Sequence, residues 1–538
     1  MAKSTVVARV LDRTRVECRI VAPGGAELVL TGAPTDLEPR AEGPLRDNRT
    51  LVTSGWAFAL ASHVAATSPN SHHRRSAEKH VAALHNHLVW IADLASDLSD
   101  TSVTGWCSAC FGLHPHVRAN RPFGHVPAYL CGECGAPTLH CAAPGCDHMA
   151  LRTPGPIRVQ RFCAEHRHDI PGFAKAGEKL ASLSEYEEFL SYEQPNLART
   201  AKMIGVAAVG LSFGALVAYI SAAAIGGAIG TAVGGYTGAA ASSYGLALLG
   251  GGALSAGGLG MVGGTMVISA VGAALGTGLG ASVAHAYLQE DKSFHIEMLQ
   301  DGDGVPVVVC NGFLTQKRKG WGGWKRIVTE RYPDSPVYRI HWGAKELKDL
   351  GLVGGGAAQM AGVAFAQKIA ARATLQGARK LGPLGPLLFA VDLAKNPWHV
   401  AKNRAEKTGV IVADLLARTN AESYVLIGHS LGARAMAIAT ETLGTKPDGP
   451  TVQAAHLLGA AMNAQVDGHV LTAAVDEAVH CYHSRHDLVL THLYRAAEAG
   501  RPAAGCAGFT SPVRGVHNVD VSGVVRSHHE YVTHVHLV

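Results

Sequence analysis

The 538-residue chain is short of charge: 17% of its residues are Asp, Glu, Lys or Arg, against about 25% in an average globular protein. No Asp, Glu, Lys or Arg occurs from Met203 to Gln289. Aromatic residues are also scarce, at 6%. The net charge of +5 is small for this length and lies on no dominant Arg/Lys face, which excludes nucleic acid as the expected partner. No apolar run follows the basic residues of Met1 to Arg15, so a secretory leader is not expected. Without one, the eleven cysteines are not read as disulfide partners. A reducing compartment follows.

What is present falls into blocks, and the length calls for more than one core. The boundaries are 1–100 for an N-terminal strand and helix region and 101–170 for a cysteine-rich module. Residues 171–300 hold a linker helix and a glycine-rich apolar segment, and 301–538 an α/β domain. Strand-like alternation marks Ser4 to Thr31. A helix is expected from Ser76 to Leu98, with Val81, Leu84, Leu88, Ile91 and Leu94 on one face. His72, His73, His80, His85 and His87 are read as a solvated face, with a metal cluster as the alternative. A second, amphipathic helix is expected from Ala176 to Gln194, before Pro195.

Seven cysteines lie between Cys107 and Cys163. Cys107 with Cys110 and Cys131 with Cys134 form two Cys-x-x-Cys knuckles, which together suit one tetrahedral zinc ion. Cys141, Cys146, Cys163 and His166 make a second set, with His140, His148 and His168 as alternative nitrogen donors. Four protein ligands leave no position for water, so both zinc ions are expected to be structural, each contributing on the order of 10 kcal/mol to folding. A protein partner for the zinc module is left open.

The uncharged stretch contains three segments near the roughly 20 residues that cross a bilayer, Met203 to Ser221 and others within Tyr244 to Met261 and Gly263 to His285. Gly226-x-x-x-Gly230, Gly230-x-x-x-Gly234 and Gly276-x-x-x-Gly280 would let helices approach closely. Membrane association is expected, with an even number of spans that keeps the zinc and C-terminal parts on the cytoplasmic side. A glycine-rich hairpin packed against soluble neighbours is the alternative.

The densest pattern is Ser423 to Arg434, an apolar β-rich run entering Gly428-His429-Ser430-Leu431-Gly432 and then a small-residue helix. Strand, Gly-x-Ser-x-Gly turn and helix are the context of a nucleophile elbow, which makes Ser430 the expected nucleophile. In that fold the acid and then the base follow in the chain. Asp487 is the leading acid, with Asp476 and Asp520 as rivals, and His528 the leading base, with His529 as competitor. Pro306 to Leu314 reads as a strand entering a glycine turn, so the backbone N–H of Phe313 or Leu314, with that of Leu431, would form an oxyanion hole. No cofactor is needed for such catalysis.

In these residues the sequence resembles the transmembrane-and-coiled-coil-domain protein four family of membrane-associated α/β hydrolases. The resemblance rests on Tyr338-Arg339-Ile340-His341-Trp342 with Lys345-Glu346-Leu347, on Asn396-Pro397-Trp398 and on Ala405-Glu406. It continues through Ile427 to Arg434, Leu457-Leu458-Gly459-Ala460, Asp487, and Asn518 to Ser522 with His528 and Tyr531. It covers Lys202 to the C-terminus. His429, where relatives often carry an aromatic residue, and the cysteine block depart from the family pattern. The resemblance implies an α/β-hydrolase fold and raises the membrane reading. Together with the apolar surroundings it points to an esterase or lipase acting on a lipid or other apolar ester through an acyl-enzyme. The glycine-rich, apolar segment Gly351 to Leu393 is read as a cap over the site. The rival reading is an inert, membrane-anchored interaction protein that recruits partners through its zinc module.

Overall fold

The computed structural model describes residues 3–187 and 293–538, apart from 12–14, 34–38, 68–70, 121–125, 153, 155–160, 167–171, 313–319, 344–396 and isolated positions in 445–512. The expected apolar spans, the proposed cap, and Phe313 and Leu314 lie outside the described residues. Among the described residues, no helix is long and apolar enough to cross a membrane.

The chain divides into two compact units. The described part of the first comprises the residues up to Glu178, together with Glu187. It opens with four antiparallel strands, β1 (Thr5–Val10), β2 (Val16–Val21), β3 (Glu27–Gly32) and β4 (Arg40–Glu42), joined in chain order. Alternation puts Val16, Cys18 and Ile20 inward with Leu28 and Leu30. They pack against two helices, α1 (Arg49–Thr67) and α2 (Ser71–Ala95), in one core with Leu51, Trp56, Leu84, Leu88 and Ile91. Asn48 caps α1 by accepting the Leu51 N–H at 3.0 Å. Ser4 ties β1 to α2 through its N–H and hydroxyl, both donated to Asp93.

Two sequence expectations change here. Helix α2 begins five residues before Ser76, and Leu98 starts a strand rather than ending the helix. His87 is not solvated: it faces the core at 2% exposure, and burial pushes its pKa down to about 4.

The rest of this unit is a five-stranded antiparallel sheet, β5 (Leu98–Trp106), β6 (Leu113–Ala119), β7 (Tyr129–Cys131), β8 (Pro137–His140) and β9 (Met149–Leu151). The amphipathic helix expected from Ala176 does not start there: residues 177–182 are not helical. Gly177 ends a four-residue helix at Phe173–Ala176, a 3-10 turn follows at Leu183–Glu185, and Tyr186 and Glu187 are again helical where the described residues stop. Residues Lys179 to Tyr186 belong to the second unit, where the Leu180 N–H bonds the Arg418 carbonyl and Lys179 Nζ donates to that of Ala417.

The second unit is a mixed α/β structure around a seven-stranded sheet ordered β10-β12-β11-β13-β14-β15-β16. Its strands are β10 (His295–Gln300), β11 (Val307–Cys310), β12 (Val337–His341), β13 (Ser423–His429), β14 (Thr451–Leu458), β15 (Val475–His483) and β16 (Val516–Asp520). Only β10 runs antiparallel, at the edge. The central strands are continuous apolar runs, as a sheet buried on both faces requires. Val307, Val309, Val425 and Ile427 share a core with Trp324, Ile327 and Val328, the last two from helix α3 (Lys325–Arg331). Helix α4 (Pro397–Arg418) packs on α5 (Leu431–Leu443), which also lies against β13 and β14.

The chain leaves β11 for β12 on one side, then returns with β13 on the other. In open α/β sheets such a reversal opens a crevice at the carboxyl ends of the strands, where ligands bind.

Candidate active site

Gly312 and Ser430 meet at the carboxyl ends of β11 and β13. Ser430 has φ 59° and ψ −120°, a conformation a serine adopts at a cost of about 1–3 kcal/mol. The glycines around it permit the turn. A Cβ on Gly428 would stand 2.4 Å from the Ala433 Cα, and one on Gly432 2.2 Å from the Cys310 carbonyl oxygen. The turn is held by its backbone: the Ser430 N–H donates to the Leu458 carbonyl at 3.0 Å, and the Ser430 carbonyl accepts from Ala461 at 3.2 Å.

His528 Nε2 stands 2.8 Å from Ser430 Oγ, and its Nδ1 stands 2.6 Å from Asp487 Oδ2. All three side chains are buried. Asp487 lies not on β15 but in the turn after it, where its Oδ1 accepts the Leu490 N–H at 3.1 Å. Burial alone would raise this carboxyl, but His528 and that N–H hold it below its ordinary value. With Nδ1–H donating to Asp487, the Nε2 lone pair faces the serine hydroxyl.

The rival residues stand elsewhere. Asp476 is exposed and accepts from Thr451; Asp520 is exposed and accepts the Ser522 N–H. His529 is exposed, its ring tilted 70° to that of His528. Leu431, the first residue of α5, has its N–H beside the serine, and a Cβ on Gly312 would come within 2.8 Å of that nitrogen.

His429 is neutral at working pH, because burial and then the neighbouring His528 push its pKa to about 3. Its Nε2 donates to the His528 carbonyl at 2.8 Å and so steadies the segment that carries the imidazole.

Sequence reasoning passed over Asn311. Its Oδ1 accepts from Trp324 Nε1 at 2.8 Å and Arg339 Nε at 2.9 Å, and its carbonyl accepts from Trp342 Nε1 at 3.0 Å. Three donors, Trp324 before α3 and Arg339 and Trp342 from β12 and its end, thereby fix the backbone that reaches Gly312. Also missed was the buried pair of Arg434 and Glu406, at 2.6 Å, behind the elbow. Lys402 pairs nearby with Glu498 at 2.8 Å. Partners 28 and 96 residues apart carry no spacing signal.

In the first unit, Cys107, Cys110, Cys131 and Cys134 form one group able to hold a metal ion, and Cys141, Cys146, Cys163 and His166 a second. The Cys107–Cys134, Cys110–Cys131 and Cys146–Cys163 sulfur separations are each 3.9 Å. That is far beyond a disulfide bond and close to the roughly 3.8 Å edge of a tetrahedron with 2.3 Å metal–sulfur bonds. Backbone N–H groups of Ala109 and Ala143 point at the Cys107 and Cys141 sulfurs, at 3.3 and 3.5 Å. His166 Nδ1 is the nitrogen of the second group, 3.2 Å from the Cys163 sulfur. His148 pairs instead with Glu165, and His140 is exposed; His168 lies outside the described residues. The Thr50 N–H and hydroxyl both donate to the Cys134 carbonyl, linking α1 to the first knuckle pair.

The model of a family described as a protein of unknown function (DUF726) matches residues 197–538. The chain is 26% identical over 282 residues to Probable lipase MIL1 of Saccharomyces cerevisiae, covering 50% of this chain and 25% of that protein. It is 28% identical over 240 residues to an uncharacterized membrane protein of Schizosaccharomyces pombe, covering 42% of this chain and 40% of the relative. A transmembrane and coiled-coil domain-containing protein of Oryza sativa, STS1, is 32% identical over 154 residues, 27% of this chain and 22% of its own length. The chain thus spans less than half the length of these curated relatives. No solved structure matches it.

Proposed function

We propose that this chain, which belongs to the DUF726 family, is a serine ester hydrolase of the α/β-hydrolase fold that works at a membrane on a lipid or other apolar ester. The observation that carries the reading is the hydrogen-bonded line from Ser430 through His528 to Asp487, set on a strand–turn–helix at the sheet's reversal point. Ser430 Oγ attacks the ester carbonyl while His528 Nε2 takes its proton. Asp487 holds the imidazole and stabilises its cation. The imidazolium then gives the proton to the leaving alcohol, and a water activated by the same nitrogen releases the acid. The Leu431 N–H, with that of Phe313 or Leu314, receives the charge on the carbonyl oxygen.

The naming of one relative as a probable lipase and of others as membrane or transmembrane proteins supports the substrate class and the location. Residues 203–289 are the proposed membrane segment, with the zinc module (101–170) and hydrolase domain (301–538) on the cytoplasmic side. Alkaline carbonate should leave the full-length chain in the membrane pellet; full release would remove the insertion reading. Zinc is the proposed ion of both ligand groups, since tetrahedral thiolate sets in a reducing compartment select it.

A fluorophosphonate probe tests the chemistry. Labelling of wild type that disappears in Ser430→Ala supports the hydrolase. No labelling of folded wild-type protein, with no ester turnover, favours an inert scaffold that recruits partners through the zinc module.

A further inference from the structure

The sheet edge three strands from β13, which leads into Ser430, carries side chains that the hydrolase chemistry does not use. Strand β10 pairs antiparallel with β12, with His295 opposite His341 and Glu297 opposite Arg339. Residues two apart on a strand share a face, and a directly opposed residue joins them there. His295, Glu297 and His341 therefore project together, and one donor atom from each lies within 4.8 Å of the other two. His341 Nε2 is 3.0 Å from Glu297 Oε2, and the two imidazole rings lie parallel with centroids 4.0 Å apart. His295 Nδ1 is 3.2 Å from the Ser293 carbonyl, an acceptor for its proton that leaves Nε2 with the lone pair.

We propose that His295, Glu297 and His341 form a binding site for a divalent transition-metal ion of the zinc or nickel class, completed by water. Two imidazoles and one carboxylate are a borderline ligand set, poor for magnesium or calcium, which demand oxygen donors. Three protein ligands leave a coordination position open, unlike the two cysteine groups. The ion enters between His341 Nε2 and Glu297 Oε2, where the hydrogen bond now lies. Ligands on a tetrahedral ion are about 3.3 Å apart, so this pair opens by only a few tenths of an ångström. His341 shifts its proton to Nδ1 to free the Nε2 lone pair, and the exposed His295 ring turns out of the stack to point its own at the ion.

The neighbouring charge is accommodated. The Arg339 guanidinium donates to Asn311 Oδ1 and to the Gly320 carbonyl. Glu297 is anchored by the Gly320 N–H, at 2.9 and 3.1 Å from its two oxygens. A carboxylate held by an N–H and an imidazole held by a carbonyl are outer-shell contacts of the kind that orient metal ligands.

The test is equilibrium dialysis of the full chain against micromolar zinc chloride and, separately, nickel chloride, with metal counted per chain. The cysteine groups and the remaining histidines contribute equally to every sample, so differences report this site. Wild type should hold one ion more than His295→Asn or His341→Asn, with affinity reduced at least the roughly tenfold that loss of even an outer-shell contact can cost. Glu297→Gln should weaken binding as well. His295 is exposed, so His295→Asn should unfold at the wild-type temperature without metal and gives the decisive comparison if His341→Asn fails to fold. Equal metal content and affinity in wild type and folded His295→Asn would overturn the proposal.

Discussion

Gly312 lies so close to Ser430 that a Cβ on the glycine would stand 2.6 Å from the serine Cβ, and as close to the His429 carbonyl oxygen. The turn after β11 is thereby fitted to the backbone of the elbow. Neither partner can give way, because the first is held by Asn311 and the second by Leu458. Gly312→Ala should lower fluorophosphonate labelling by roughly 10² or more, the scale of losing one oxyanion donor. Near-normal labelling with an unchanged unfolding temperature would contradict the close fit.

The Ser430–His528–Asp487 line gives an ordered set of losses in ester turnover. Ser430→Ala and His528→Ala should each abolish it to a similar degree, since the two act as a unit. Asp487→Asn should reduce it by roughly 10⁴ by favouring the wrong imidazole tautomer. His529→Ala should stay near wild type, because that ring is exposed and it is His528 Nε2 that stands 2.8 Å from Ser430 Oγ. A His529 variant as damaged as the His528 variant would reverse the assignment of the base.

Glu441, on α5, is buried, and burial raises its pKa from 4.5 to about 7, against a smaller opposing pull from Arg434. A raised carboxyl pKa means the folded state binds the proton more tightly than the unfolded one. Its contribution is fully present below the unfolded value and is lost as pH rises through about 7. Glu441→Gln should therefore gain stability relative to wild type between pH 5 and pH 8, by up to roughly 3 kcal/mol. Parallel denaturant curves at the two pH values would read this, and an unchanged difference would refute it.

Removing Arg434 leaves the fully buried Glu406 without its ion-pair partner. Arg434→Met should cost about 3–5 kcal/mol, the scale of an uncompensated buried charge. Adding Glu406→Gln should restore part of that loss. A double variant no more stable than the single one would show that Arg434 acts through packing alone.

Each ligand group should hold one zinc ion. Cys131→Ser should lower the zinc content of the full chain by about one ion and expose the β5–β9 sheet to limited proteolysis, because metal binding supplies folding free energy there. Unchanged zinc content, or thiols recovered as disulfides, would remove the structural-zinc reading.

The sequence alone determined features whose cause is local. Gly428 and Gly432 flank a serine at a strand end, and paired cysteines make knuckles within four residues, so both could be read without a fold. Period-two alternation in Val16 to Ile20 and three-four spacing in Leu84 to Leu94 likewise reflect the geometry of single elements. Tertiary structure decided what depends on partners far along the chain. It set His528 rather than His529 beside Ser430, because only one ring of an adjacent pair can face a strand end reached 98 residues earlier. It turned His87 inward, made Asn311 a junction for three donors, and matched Arg434 to Glu406. It also gathered His295, Glu297 and His341, since strand register is fixed by sheet pairing and leaves no mark in a sequence read one segment at a time.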